Sequence, residues 1–194
     1  MKDNHTRNDG FIPRHGGYRN LISYQKAEII YDGTINFTKR FLKKYDRTID
    51  QMVQAARSGK QNIAEASMAS GTSKEMEIKL TNVARASLEE LKIDFEDFLR
   101  TNKWEIWGIG HKYTKRFREI NRTPDATYET YKNAIEHSKP EICANSMICL
   151  INIVSYLLSQ QIKKLETDFL NEGGLRERMT KARIDKRNES KNQK

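Results

Sequence analysis

The chain has 194 residues, 31% of them charged, with a formal net charge of +9 and a pI near 9.5. Three prolines only, Pro13, Pro124 and Pro140, break it; β-branched alternation is scarce, and Lys, Glu, Ala, Ile and Leu fill the long segments between. This argues against a sandwich or barrel and predicts one all-α domain with room for an extension.

Residues 1–17 hold Gly10, Pro13, Gly16 and Gly17 among polar and charged residues. They read as a flexible arm without the apolar run of a signal peptide. A first helix is expected over residues 21–44. Leu21, Tyr24, Ala27, Tyr31 and Ile35 form one face, Ile30, Phe37 and Phe41 widen it, and Gly33 allows close packing. Thr48 and Gln51 suggest a capping box for the second helix, whose buried side would be Val53, Ala56, Ile63 and Ala66 or Ser67. Ala55, Ala56, Ser58, Gly59, Ala64, Ala66 and Ser67 make it a small-residue ridge, suited to packing within the chain or to a seam between subunits. Ser70-Gly71 supplies a break, and Thr72 with Glu75 suggests the next capping box.

The third helix is expected over residues 73–100. Its stripe is Leu80, Val83, Ala84, Ser87, Leu88, Leu91, Phe95, Phe98 and Leu99, with Glu75, Glu77, Glu89, Glu90 and Lys92 largely outside it. Residues 104–110, Trp-Glu-Ile-Trp-Gly-Ile-Gly, read as a loop in which Trp104 and Trp107 act as anchors. A short helix over 111–120 has two sides. Tyr113, Phe117 and Ile120 share one; Lys112, Lys115 and Arg116 lie on the other, with Arg118 and Arg122 at its edge. Thr123-Pro124-Asp125 suggests another helix start, leading to Tyr128, Tyr131 and Ile135 and stopping before Pro140.

The last long helix is expected over 141–171. Its centre, 147–158, is apolar nearly all round, as for a helix buried on several sides, yet too short and too interrupted by Asn152 and Ser155 to span a bilayer. Cys143 and Cys149, six apart on this helix, fall on different faces, which argues against a mutual disulfide and fits a reduced, cytoplasmic setting. Gly173-Gly174 ends the helix. The basic tail over 175–194 begins as helix, with Leu175, Met179 and Ala182 on one side, and reads as disordered beyond Lys186.

The chemistry of known site types is absent from the pattern. His5, His15, His111 and His137 are scattered. Glu65 and Glu90 are candidate interior carboxylates, but a di-metal bundle needs Glu-x-x-His motifs on two helices and the chain has none. The expectation is therefore no metal, with Glu65 and Glu90 hydrogen-bonded across the hairpin or to a neighbouring subunit. Gly108 and Gly110 lack the strand context of a phosphate loop, and no nucleophile motif is visible, so no cofactor and no enzymatic activity are expected.

Charge is the informative feature. The net is +3 over residues 1–102, +4 over 103–122, −3 over 123–174 and +5 over 175–194. Such clustering suits a polyanion, nucleic acid above all, although solvated surface is the ordinary alternative. The candidate contacts are Lys112, Lys115, Arg116, Arg118 and Arg122, extended by Arg176, Arg178, Lys181 and Arg183 in the tail. Tyr113 and Phe117 would anchor the helix or stack on bases.

Several segments resemble one family. Tyr24-Gln25-Lys26-Ala27 matches an element of its first helix. Ala55-Ala56-Arg57-Ser58-Gly59-Lys60-Gln61-Asn62-Ile63-Ala64-Glu65-Ala66 resembles a segment of its second, and Ser87-Leu88-Glu89-Glu90-Leu91 one of its third. This is the four-helix-bundle family of proteins encoded in intervening sequences of bacterial 23S rRNA genes, which includes the accessory variability determinants of diversity-generating retroelements. The similarity spans about residues 18–99. Gly59-Lys60 replaces an Ile-Pro pair of the family, Ala66 and Ala86 replace glycines, and some 40 extra residues precede the fourth long helix. The resemblance implies an up-down four-helix bundle with a helical insertion at about 101–140, assembled as a homo-oligomer, a pentamer in the family. It implies a non-enzymatic accessory protein that binds nucleic acid, RNA before DNA, and structural or subunit-contact roles for Tyr24, Asn62, Glu65, Ser87 and Glu90. Retroelement members bind a reverse transcriptase, so a scaffold for such a polymerase, with nucleic acid bound incidentally, is the alternative.

Overall fold

The computed structural model describes residues 12, 15–122 and 126–192. Among them no strand occurs, and all the regular structure is helical. Most of the expected N-terminal arm, the helix start at Thr123-Pro124-Asp125 and the last two residues of the tail lie outside the described residues.

A single turn of 3-10 helix, Tyr18–Asn20, precedes α1, Ile22–Phe41. α2 is Arg47–Ala69 and α3 is Lys74–Thr101. Their caps differ from the expected ones by one or two residues. Asp46 Oδ1 accepts from Thr48 N at 2.9 Å, so Asp46 and not Thr48 is the cap of α2. Ser73 Oγ accepts from Met76 N at 3.1 Å, whereas Thr72 Oγ1 donates back to the Ala69 carbonyl. In both cases the chain offers two nearby oxygen-bearing side chains, and the one whose backbone is extended takes the free N–H.

α4, Lys112–Asn121, and α5, Tyr128–Ile135, follow. Thr127 and Thr130 form a reciprocal capping box at the start of α5. Pro140 occupies the first turn of α6, Pro140–Glu172, where its missing N–H costs nothing. α7, Leu175–Asn192, carries helix past Lys186, where disorder was expected.

Six helices, α1 to α6, pack together. α1 lies on α2, α2 on α3, α3 on α6 and α6 on α1, while α4 and α5 also pack on α6. Two small residues set the spacing. A Cβ placed on Gly59 would sit 2.7 Å from Leu88 Cδ2, and one on Gly33 would sit 2.8 Å from Met147 Sδ. Leu88 thus leaves no room for a methyl at Gly59 on the α2–α3 seam, whereas at Gly33 on the α1–α6 seam the obstacle is the flexible end of Met147. Phe37 fills the space beside this seam, edge-on to Phe95 and Phe98 at 4.9 Å each.

Residues 143–151 of α6 are buried without interruption. By length and composition α6 reaches the apolarity of a membrane span, contrary to the expectation from its central run, and 61% of that window is buried inside the protein. Cys143 and Cys149 are both free and buried on it. On α3, Val83 is exposed and Glu77 is buried, reversing their expected sides. Glu77 lies in the first turn, where it pairs with Lys74 at 3.2 Å.

Gly59→Ala is expected to cost about 1–3 kcal/mol in overpacking against branched Leu88, more than the roughly 1 kcal/mol it gains in helix propensity. Gly33→Ala meets a pliable thioether, so its urea midpoint should stay level or rise. Urea denaturation of both variants checks the contrast, and the opposite order would show slack at the α2–α3 seam.

Candidate nucleic-acid interface

The loop before α4 is fixed by one buried amide. Asn145 Oδ1 accepts from Trp107 N at 2.8 Å, and Asn145 Nδ2 donates to the carbonyls of Glu105 and Glu141 at 2.9 Å each. Trp107 then stacks on His111, rings nearly parallel at 4.8 Å, and His111 Nδ1 caps α4. Phe117 is the buried anchor of α4, stacked on Tyr131 at 5.8 Å.

This rotation splits the expected apolar face. Tyr113 is 44% exposed and leans on Trp107 and His111 instead of entering the core. Thr114 takes its place near Cys149, a turn before Phe117.

The basic residues of α4 fall into distinct settings. Lys112 Nζ lies 4.9 Å from the ring centre of Tyr113, and Arg116 pairs with Glu119 at 3.2 Å. Lys115, Arg118 and Arg122 are exposed and make no ion pair among the described residues. Arg118 and Arg122 line a cleft of about 550 Å³ between α4 and α6, whose other walls include Phe117, Asn121, Cys149, Ile153 and Tyr156.

The tail residues Arg176, Arg178, Lys181 and Arg183 are exposed on α7, with Arg176 and Lys181 beside a shallow depression of about 420 Å³. They do not continue the α4 group. Tyr156 and the end of α6 are separated by about 24 Å of helix at 1.5 Å per residue. Arg176 instead lies near the start of α3: Glu75 is held below the usual carboxylate range, first by Lys79 and in smaller part by Arg176.

Two residues that sequence reasoning passed over join the α4 group. Tyr156, 63% exposed, stands in the middle of the apolar helix and lines both the first cleft and a second of about 500 Å³ between α3 and α6. Arg85 lines the second cleft, held by Asn82 Oδ1 at 2.8 Å and Ser159 Oγ at 3.3 Å. The only available signal was a tyrosine inside an otherwise apolar run.

The residues on which the resemblance rests form no polar constellation among the described residues. Tyr24 packs edge-on to Tyr18 at 4.8 Å, and Asn62 Nδ2 donates to the Ser58 carbonyl at 2.8 Å. Ser87 is half-buried. Glu65 and Glu90 are exposed and make no hydrogen bond across the hairpin among the described residues, because the 3.6-residue period turns both away from the α2–α3 contact. Among the described residues no group of three or more His, Cys, Asp or Glu side chains is placed to hold a metal. Burial pushes the Cys143 thiol up to about 11, far from a reactive thiolate.

No protein-family model matches the chain, and no curated protein or solved structure matches it.

One buried cation remains. Lys26 is 3% exposed and donates to Tyr131 Oη at 3.0 Å, with no carboxylate partner among the described residues. Burial lowers its pKa from the usual 10.5. Between the lowered native value and 10.5 the unfolded chain holds more protons, so the contribution of Lys26 to stability improves as pH rises through that interval. Lys26→Met removes this dependence. The stability of the native protein relative to Lys26→Met is expected to increase between about pH 7 and pH 10, measured by urea denaturation; a constant difference would mean that Lys26 titrates normally.

Proposed function

We propose that this protein is a non-enzymatic, homo-oligomeric nucleic-acid-binding accessory protein, acting on RNA before DNA. The observation that carries this reading is the uncompensated charge of α4. Lys115, Arg118 and Arg122 have no ion pair among the described residues, while the neighbouring Arg116 has one. Fixed cations without internal counterions attract a polyanion and release its condensed counterions on contact. The second basic group on α7 adds contacts at a distance, and repetition across subunits would multiply weak ones.

The closed cycle of contacts among α1, α2, α3 and α6 supports reading the scaffold as an up-down four-helix bundle with α4 and α5 as its helical insertion. With the Tyr24-Gln25-Lys26-Ala27 and Ser87-Leu88-Glu89-Glu90-Leu91 segments, it supports membership of the intervening-sequence and retroelement-accessory family. Exposed Met76, Val83 and Ile93 on α3 are apolar surface available to a second copy, in keeping with a pentameric ring. A cytoplasmic setting and the absence of a bound cofactor belong to the same reading.

A second reading has its own support. The insertion exposes Ile106, Ile109 and Tyr113, with Ile109 at 74%. Such a tip suits a protein partner, a reverse transcriptase or other polymerase, with nucleic acid bound incidentally. Recovery of one stoichiometric protein after nuclease treatment favours this reading; recovery that disappears with nuclease favours the first.

Binding to a labelled mixed RNA pool is expected to weaken steeply with salt. Reversing Lys115, Arg118 and Arg122 to Glu should reduce the salt slope by about one for each phosphate no longer neutralised and leave the melting temperature nearly unchanged. Anisotropy titrations between low and physiological salt check this, and absence of binding at low salt would refute the proposal.

A further inference from the structure

The two clefts flanking Tyr156 have complementary chemistry. The first presents the side chains of Arg118 and Arg122 beside the apolar walls of Phe117 and Ile153. The second presents Arg85, oriented by two neutral partners, so that its charge is not cancelled where it is held. Glu89 also lines the second cleft, but its carboxylate is taken by Lys92 at 2.6 Å. Each lining contains a buried oxygen without a hydrogen-bond partner, Asn121 Oδ1 in the first and Ser155 Oγ in the second. Between the clefts stands one exposed aromatic ring.

An aromatic ridge with cations on both sides matches a chain that alternates flat apolar faces with negative charges. Such a chain is a single-stranded nucleic acid. A duplex does not fit the same description, because its bases are stacked on one another and cannot reach a lone ring.

We propose that Tyr156 is a base-stacking platform for single-stranded nucleic acid, with Arg118 and Arg122 on one side and Arg85 on the other taking successive phosphates. This rests on the nucleic-acid reading above and narrows it to unpaired strands or loops. It also assigns α3 and α6 to a surface that sequence reasoning confined to α4 and α7.

The test compares a short single-stranded RNA with an abasic strand of equal phosphate number, by fluorescence anisotropy at fixed salt. The native protein is expected to bind the base-bearing strand about tenfold more tightly, the scale of one aromatic stack. Tyr156→Ala should abolish that difference while leaving affinity for the abasic strand and its salt slope in place; Tyr156→Phe should retain it. Tyr156 is largely exposed, so neither substitution removes core packing. Equal affinity of the native protein for both strands, or equal weakening of both by Tyr156→Ala, overturns the platform and leaves the nucleic-acid reading standing. Failure of every strand to bind at low salt overturns both, and leaves the ridge as a contact for protein.

Discussion

Nine consecutive buried residues, 143–151 of α6, cannot be covered by a partner on one side, because a helix turns through more than two full circuits over that length. The stretch contains Asn145 as well as aliphatic side chains, so cover must also supply hydrogen bonds to its amide, while Ser146 Oγ finds no partner among the described residues. α1 and α3 close two sides. α4 and α5 close others, through Phe117, Tyr131 and Ile135, while the loop carbonyl and N–H that meet Asn145 satisfy its amide. α4 and α5 are thus part of the core that supports them. This is also why the basic helix has a defined orientation: Phe117 and the Asn145 clamp decide which of its side chains face outward.

The helical class and the extents of the long helices were legible because their apolar period is strong and their ends carry Gly, Pro and hydroxyl residues. The caps fell on Asp46 and Ser73 instead of the expected Thr48 and Thr72, because nearby residues offer equivalent oxygen acceptors and the choice depends on backbone direction. Val83 and Glu77 exchanged expected sides for a different reason. A stripe drawn on one helix has a blurred edge, and only the position of α2 and α6 against α3 fixes it.

The candidate surface was half legible. Lys112, Lys115, Arg116, Arg118 and Arg122 are close in sequence, so a charge count finds them. Arg85 and Tyr156 are distant in sequence and carry no local motif; α3 and α6 bring them to one face. Arg176, Arg178, Lys181 and Arg183 show the converse. They share the sign of the α4 group, and the length of α6 sets them apart from it. Charge composition therefore pointed to a class of partner more readily than to the surface that would meet it.

Gly173, at φ +69, turns the chain out of α6, and among the described residues α7 beyond it has no buried side chain. Its 18 residues hold seven basic and three acidic groups. Isolated helices of about 12–15 residues are marginal in water even with favourable sequences, and like charges on adjacent turns weaken them further. α7 thus draws its order from local interactions and charge balance and little from packing. The two basic helices therefore differ in what maintains them, a buried phenylalanine and the core beneath it for α4, and the ionic surroundings for α7.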